Sequence, residues 1–220
     1  MLEYKPLQEK AYIYIKNLII SGQLVTGIIY SETKLSVELG ISRTPLKDAL
    51  VRLSEEKYID IIPSRGFCLH TMSREDVRST YQLRVALEGF CSMNLSKQAA
   101  AKENYIKTLE SNIMAMEKES HCNHDLQVFT ELDFQFHSTL VASLENKDID
   151  ELFETYHRRI SCLAFDCMLE QDETAYTCEE HWNILNAIRD SSDTNGFNAY
   201  LAVEKHMDRL KEITITKIPE

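Results

Sequence analysis

Residues 31–53 admit fewer folds than any other stretch of this chain. Ser31 precedes a short run whose apolar residues, Leu35 and Leu39, lie four apart. A serine in that place caps a helix by accepting from its free amides. Gly40 follows at the left-handed position that commonly ends a helix. Ile41 plugs the turn, and Ser42 opens a second capped run in which Leu46, Ala49, Leu50 and Leu53 recur at helical spacing. Two short helices joined by a tight, glycine-containing turn read as a helix-turn-helix. Upstream, Leu7, Ala11, Ile15, Leu18 and Ile19 form one helical face, and Gly22 and Gly27 bracket the loop that follows. Downstream, the runs 58–62 and 67–70 flank Pro63-Ser64-Arg65-Gly66, which predicts strand, tight turn, strand: a wing.

The outward positions of that pattern carry its chemistry. Ser42, Arg43, Thr44 and Lys47 fall in the first turns of the second helix, whose N-terminal residues meet base edges when a helix-turn-helix docks in the major groove. Arg43 offers a two-pronged donor for guanine O6 and N7. Ser42, Thr44 and the free amides of the helix start suit phosphate oxygens. Arg65, with Gly66 at the wing tip, reaches toward the minor groove or the backbone.

A net charge of −11 argues against a nucleic-acid partner only if it is evenly spread. It is not: residues 1–72 hold 9 Lys and Arg against 8 Asp and Glu, whereas residues 73–220 hold 15 against 27. A near-neutral head on an acidic body predicts two domains, 1–72 and 73–220, with different tasks. No apolar run approaches the roughly 18 residues a membrane helix needs, and Met1–Lys5 show no secretory pattern. The six cysteines, at 68, 91, 122, 162, 167 and 178, include no CxxC pair and read as reduced thiols in a cytoplasmic protein.

With only 6 Gly and 4 Pro in the chain, the body reads as helical throughout. Candidate helices span about 74–97, 102–119, 124–144, 147–169, 174–190 and 194–215, with breaks at Asn146, Asp172 and 191–194. The expected fold is therefore mainly α: an N-terminal winged helix-turn-helix followed by an all-α six-helix bundle. Several apolar stripes of that bundle carry polar groups. Asp133 and His137, one turn apart, share a face with Phe129, Leu140 and Val141. His181 lies with Cys178, Ile184, Leu185 and Ile188, and His206 with Ala202, Val203 and Leu210. A divalent cation would use the imidazole lone pairs and relieve the cost of burying the carboxylate. Taken singly, each histidine also reads as a hydrogen-bonded core residue.

Arg84 shares a stripe with Val77, Tyr81, Leu87 and Cys91. It pairs either with Glu88 at i+4 or with the carboxylate of a ligand, which its rigid fork suits. Arg159 is a second candidate, and His157 stays ambiguous between face and surface. His70, His121 and His124 read as surface residues, and Glu180 as a solvated neighbour of His181.

The string Gly40-Ile41-Ser42-Arg43-Thr44-Pro45-Leu46-Lys47, followed by Pro63-x-Arg65-Gly66, resembles the N-terminal domain of GntR-family bacterial transcription regulators. Lys47 stands where that family usually has Arg, Val25-Thr26 where Pro is common before the glycine, and Thr33 where some members have a DNA-contacting Arg. Leu83-Arg84-Val85-Ala86-Leu87-Glu88, Asp133-x-x-x-His137, Glu180-His181-x-x-Ile184 and the late His206 resemble the FCD effector domain of the FadR subfamily, in its six-helix, VanR-like form.

The resemblance implies a homodimer that binds a palindromic DNA operator. It implies a divalent transition metal on Asp133, His137, His181 and His206: zinc first, with nickel, manganese or iron as alternatives. It also implies a small organic acid as effector, held by Arg84, and most simply a repressor that releases DNA when the acid binds. A metal-dependent enzyme and a purely structural metal bundle are the rival expectations.

Overall fold

A computed structural model describes residues 6–20, 23–169, 172–190 and 192–218. Met1–Lys5, the loop glycine Gly22 and Ser191 of the last break lie outside them. The chain divides into two compact units, Met1–Met72 and Ser73–Glu220.

The first unit holds α1 (Leu7–Ile20), α2 (Glu32–Leu39), α3 (Arg43–Glu55), β1 (Ile59–Ile62) and β2 (Gly66–Leu69). Ser31 caps α2 by accepting from the Lys34 amide, and Gly40 ends it at φ 63°. Ser42 takes the cap position of α3, but its side chain makes no capping hydrogen bond, contrary to expectation. Ala11, Ile15, Leu46, Ala49, Leu50 and Leu53 close over Tyr58, Ile59 and Phe67 to form the core. Burying each such large apolar side chain is worth about 1.5–3 kcal/mol.

The two strands pair antiparallel, with Ile62 opposite Gly66 and Ile59 opposite Leu69. Tyr30 adds a bridge that the sequence does not announce: its amide donates to the Phe67 carbonyl at 2.7 Å and its carbonyl accepts from the Phe67 amide at 3.1 Å. Gly66 makes this possible. It sits at φ 129°, and a Cβ there would lie 2.0 Å from the Tyr30 carbonyl oxygen. Gly66 is buried beneath the loop, so the wing tip presents Arg65.

The second unit is helical. Its elements are α4 (Arg74–Arg84), a π-wound segment (Val85–Gly89), α5 (Phe90–Lys97), α6 (Glu103–Lys118), a second π turn (Glu119–Asn123), α7 (Leu126–Ala142), α8 (Lys147–Thr155), α9 (His157–Met168), α10 (Glu173–Arg189) and α11 (Phe197–Lys217). Ser73 and Asp76 form a reciprocal capping box at the start of α4. The first expected body helix is one rod, but its middle winds as a π segment that places Glu88 and Gly89 inside. Gly89 lets α11 approach, since a Cβ would meet the Tyr200 ring at 2.7 Å.

The helix expected over 147–169 is two helices. At Tyr156 the backbone adopts φ −93°, ψ −1° and the amide bonds back to Phe153 rather than to Leu152, which tightens the turn and ends α8. α7 begins at Leu126 rather than at 124, because Asp125 accepts from the amides of Gln127 and Val128. α7 packs against α6 and α9, and α10 against α6 and α11. No helix among the described residues is long and apolar enough to cross a membrane.

Candidate nucleic-acid interface and metal centre

On the first unit, Ser42, Arg43, Thr44 and Lys47 are all exposed at the start of α3. The first turn of α3 contains no acidic residue, so nothing on the helix neutralises the positive end of its dipole. Arg43 is tethered: its Nη2 donates to Thr33 Oγ1 at 2.6 Å. Thr33 thereby fixes the direction of the guanidinium from the neighbouring helix. Arg52, further along α3, is bound to Glu9 and Glu56, each at 3.0 Å. The exposed cations of the helix start and of Arg65 at the wing tip make a surface suited to duplex DNA.

In the second unit four side chains that lie far apart in sequence converge. α7 supplies Asp133 and His137, α10 supplies His181 and α11 supplies His206, and all four are 1% exposed or less. The three imidazoles offer nitrogens within 4.8 Å of one another. Asp133 Oδ1 stands 3.5 Å from His181 Nε2 and 3.7 Å from His137 Nε2. Among the described residues, both Asp133 oxygens, both nitrogens of His137 and of His181, and His206 Nε2 have no hydrogen-bond partner. Buried polar atoms are seldom left so, and here they face one another. His181 also stacks on Phe136, with ring centroids 4.1 Å apart, which holds its plane.

The sequence does not reveal what stands behind these rings. His137 Nδ1 lies 2.5 Å from Glu88 Oε2, and Glu88 Oε1 accepts from Arg84 Nε at 2.7 Å. Arg84 and Glu88 are the i+4 pair that the stripe allowed, but Glu88 also touches the centre. Arg84 Nη2, itself buried, has no acceptor among the described residues. His206 Nδ1 is hydrogen-bonded to Glu180 Oε2 at 2.7 Å. Glu180 is therefore not the solvated neighbour expected from its place beside His181. No periodicity could have found this contact, because Glu180 lies 26 residues from His206 on a different helix.

Electrostatics follow the geometry. Burial would raise the Asp133 carboxyl, but His137, His181 and Arg84 outweigh it and hold the group below the usual carboxylate range. Glu88 is likewise buried, and Arg84 and His137 draw it down to about 2. Burial lowers His181, reinforced by the other two imidazoles, and it also lowers His206 despite Glu180. His137 moves the other way: Glu88 and Asp133 outweigh burial and Arg84 and raise it.

The remaining candidates lie elsewhere. His157 stacks on Phe134 at 3.7 Å and contacts Glu154. Arg159 is buried with its guanidinium over the Tyr156 ring. His121 and His124 are exposed, whereas His70 is partly buried against Asp60.

Fold and site together define a winged-helix DNA-binding transcription regulator with an all-helical effector domain. The model of bacterial regulatory proteins of the gntR family matches residues 7–69, and the FCD domain model matches residues 79–209. The chain belongs to the GntR family and carries an FCD domain. It is 24% identical over 215 residues to the HTH-type transcriptional repressor RspR of Escherichia coli K12, covering 94% of this chain and 89% of that one. It is 32% identical over 131 residues to the gluconate operon transcriptional repressor of Bacillus licheniformis, covering 60% of this chain and 52% of that protein. A GntR regulator structure from Rhodococcus sp. RHA1 shares the fold with a TM-score of 0.72, at 16% identity over 96% of this chain and 99% of that one. The matched families and relatives are transcription regulators, not enzymes.

Proposed function

We propose that this regulator is a repressor, acting as a homodimer on a palindromic operator, whose grip on DNA is governed by a small carboxylate sensed at a metal centre in the second unit. The observation that carries this reading is the set of inward, unpartnered atoms on Asp133, His137, His181 and His206. Their chemistry fits a divalent transition ion, with imidazole nitrogen and carboxylate oxygen as donors. Charge argues the same way. Asp133 and Glu88, set against Arg84, draw His137 above the usual imidazole range, which marks an interior that attracts positive charge. A divalent cation would supply that charge and offer open positions to an anion.

The residues of the chain do the selecting. Arg84 spends one edge on Glu88 and keeps Nη2 for an acceptor, so a ligand with a carboxylate satisfies a donor that is otherwise orphaned. Repressor is the word in the names of two relatives, one of them of a gluconate operon, and gluconate is a small carboxylate. On the first unit, Arg43 reads a base edge while Ser42, Thr44, Lys47 and Arg65 hold phosphates.

The test is a thermal-shift screen of zinc-loaded protein against small organic acids, followed by operator binding with each hit. A hit that raises the melting temperature and weakens operator binding supports the proposal. Melting that responds to zinc and to no acid would leave a structural ion and overturn the sensor.

A further inference from the structure

The geometry points to Glu180 and Arg209 as a positioning pair that fixes the ring of His206 with Nε2 turned inward. This deepens the metal-centre reading and rests on it for its consequence in metal affinity, though not for the ring geometry itself.

Glu180 and His181 are consecutive on α10, so their side chains leave the helix about 100° apart. His181 enters the core, whereas Glu180 passes behind His206 at the rim, 16% exposed. Glu180 Oε2 sits 2.7 Å from His206 Nδ1. An ionised carboxylate has only lone pairs there, so Nδ1 must carry the proton and Nε2 keeps its lone pair toward Asp133, His137 and His181.

A single carboxylate on a rotatable stem holds a ring loosely unless it is itself held. Arg209 does this with its fork: Nε donates to Glu180 Oε1 at 2.7 Å and Nη2 to Oε2 at 2.8 Å. Its third nitrogen, Nη1, is bonded to Glu173, and Nη2 also reaches Thr177 Oγ1 at 3.5 Å. Glu173, Thr177 and Glu180 mark successive turns of α10. The guanidinium therefore pins Glu180 from a helix face that cannot rotate. Arg209 lies three residues beyond His206 on α11, one turn away and on the same side. The pair thus ties α10 to α11 at the level where each contributes an imidazole.

His137 Nδ1 lies 2.5 Å from Glu88 Oε2 but, like both nitrogens of His181, makes no hydrogen bond among the described residues. The ring of His206 is the one whose tautomer is set by a carboxylate that is itself fixed bidentately.

The experiment uses the full chain and the variants Glu180→Gln, Arg209→Ala and Arg209→Lys. Ring nitrogens of ¹⁵N-histidine-labelled, metal-free protein report the tautomer of His206, and a competition titration with zinc and a chelator reports affinity. Melting of each metal-free variant checks folding. In the parent, His206 is expected as a single Nδ1–H tautomer. Glu180→Gln and Arg209→Ala should mix the tautomers and weaken zinc about 10- to 100-fold. Arg209→Lys, a point charge without the fork, should recover only part of both. Parent-like tautomer and affinity in Glu180→Gln and Arg209→Ala would overturn the pair, as would a lowered melting point with neither readout moved. A parent that binds no zinc would instead overturn the metal centre, while the tautomer result would still decide whether Glu180 and Arg209 set the ring.

Discussion

At the residue scale, two guanidiniums do different work. Arg43 is exposed and aimed by Thr33, so its loss should remove base discrimination and leave the fold intact. Arg43→Ala should cost about 1–3 kcal/mol of operator binding at the base it reads, and competition between operator and random duplex should show the preference relaxed. Equal preference in parent and variant would count against the assigned role. Arg84 is buried, and deleting it would strand the Glu88 charge, which is strongly destabilising. Arg84→Lys is the cleaner probe because it keeps the charge and loses the fork. It should retain zinc and weaken the acid roughly tenfold, about 1.4 kcal/mol, by calorimetry.

The inward groups were legible in the sequence because helical spacing put His137, His181, His206, Asp133 and Arg84 among Leu, Ile and Val. Glu88 was legible only as a partner of Arg84. Glu180 and Arg209 were not legible, because contacts between helices 26 to 29 residues apart leave no periodic trace.

At the scale of elements, the wing depends on one glycine. Gly66 combines φ 129° with a Tyr30 carbonyl oxygen pressed where a Cβ would stand. Gly66→Ala should cost more than about 1 kcal/mol and part the Tyr30 bridge, so that the amide of Phe67 exchanges faster with solvent. A parent-like melting curve would contradict this account of the bridge. The turn string Pro63–Gly66 announced the strands, but nothing in the sequence of Tyr30 announces pairing with Phe67. The break at Tyr156 was hidden for a similar reason: no Gly or Pro marks it, and apolar residues continue on both sides. The π segment at 85–89 likewise escaped a reading built on 3.6-residue spacing. Its winding puts Glu88 within reach of His137, and such segments often sit at functional places.

At the scale of the whole molecule, the charge division matters most. The excess of acidic residues lies in 73–220, so electrostatic attraction to DNA must come from the first unit, and binding should weaken steeply with salt. The proposed control by a ligand would be a linkage between two sites, and reciprocal. An acid that lowers operator affinity by some factor should itself bind the operator-bound protein more weakly by the same factor. Calorimetry of the acid with and without saturating operator measures this, and an acid affinity indifferent to DNA would show that the two sites are uncoupled.

The proposed ion on three buried imidazoles and one aspartate is decided by a zinc titration of the chelator-stripped full chain. Calorimetry beside the double variant His181→Ala, His206→Ala should find one tight ion per chain in the parent and none of that affinity in the variant. A parent that takes up no tight ion, or a variant that binds as the parent does, would contradict it.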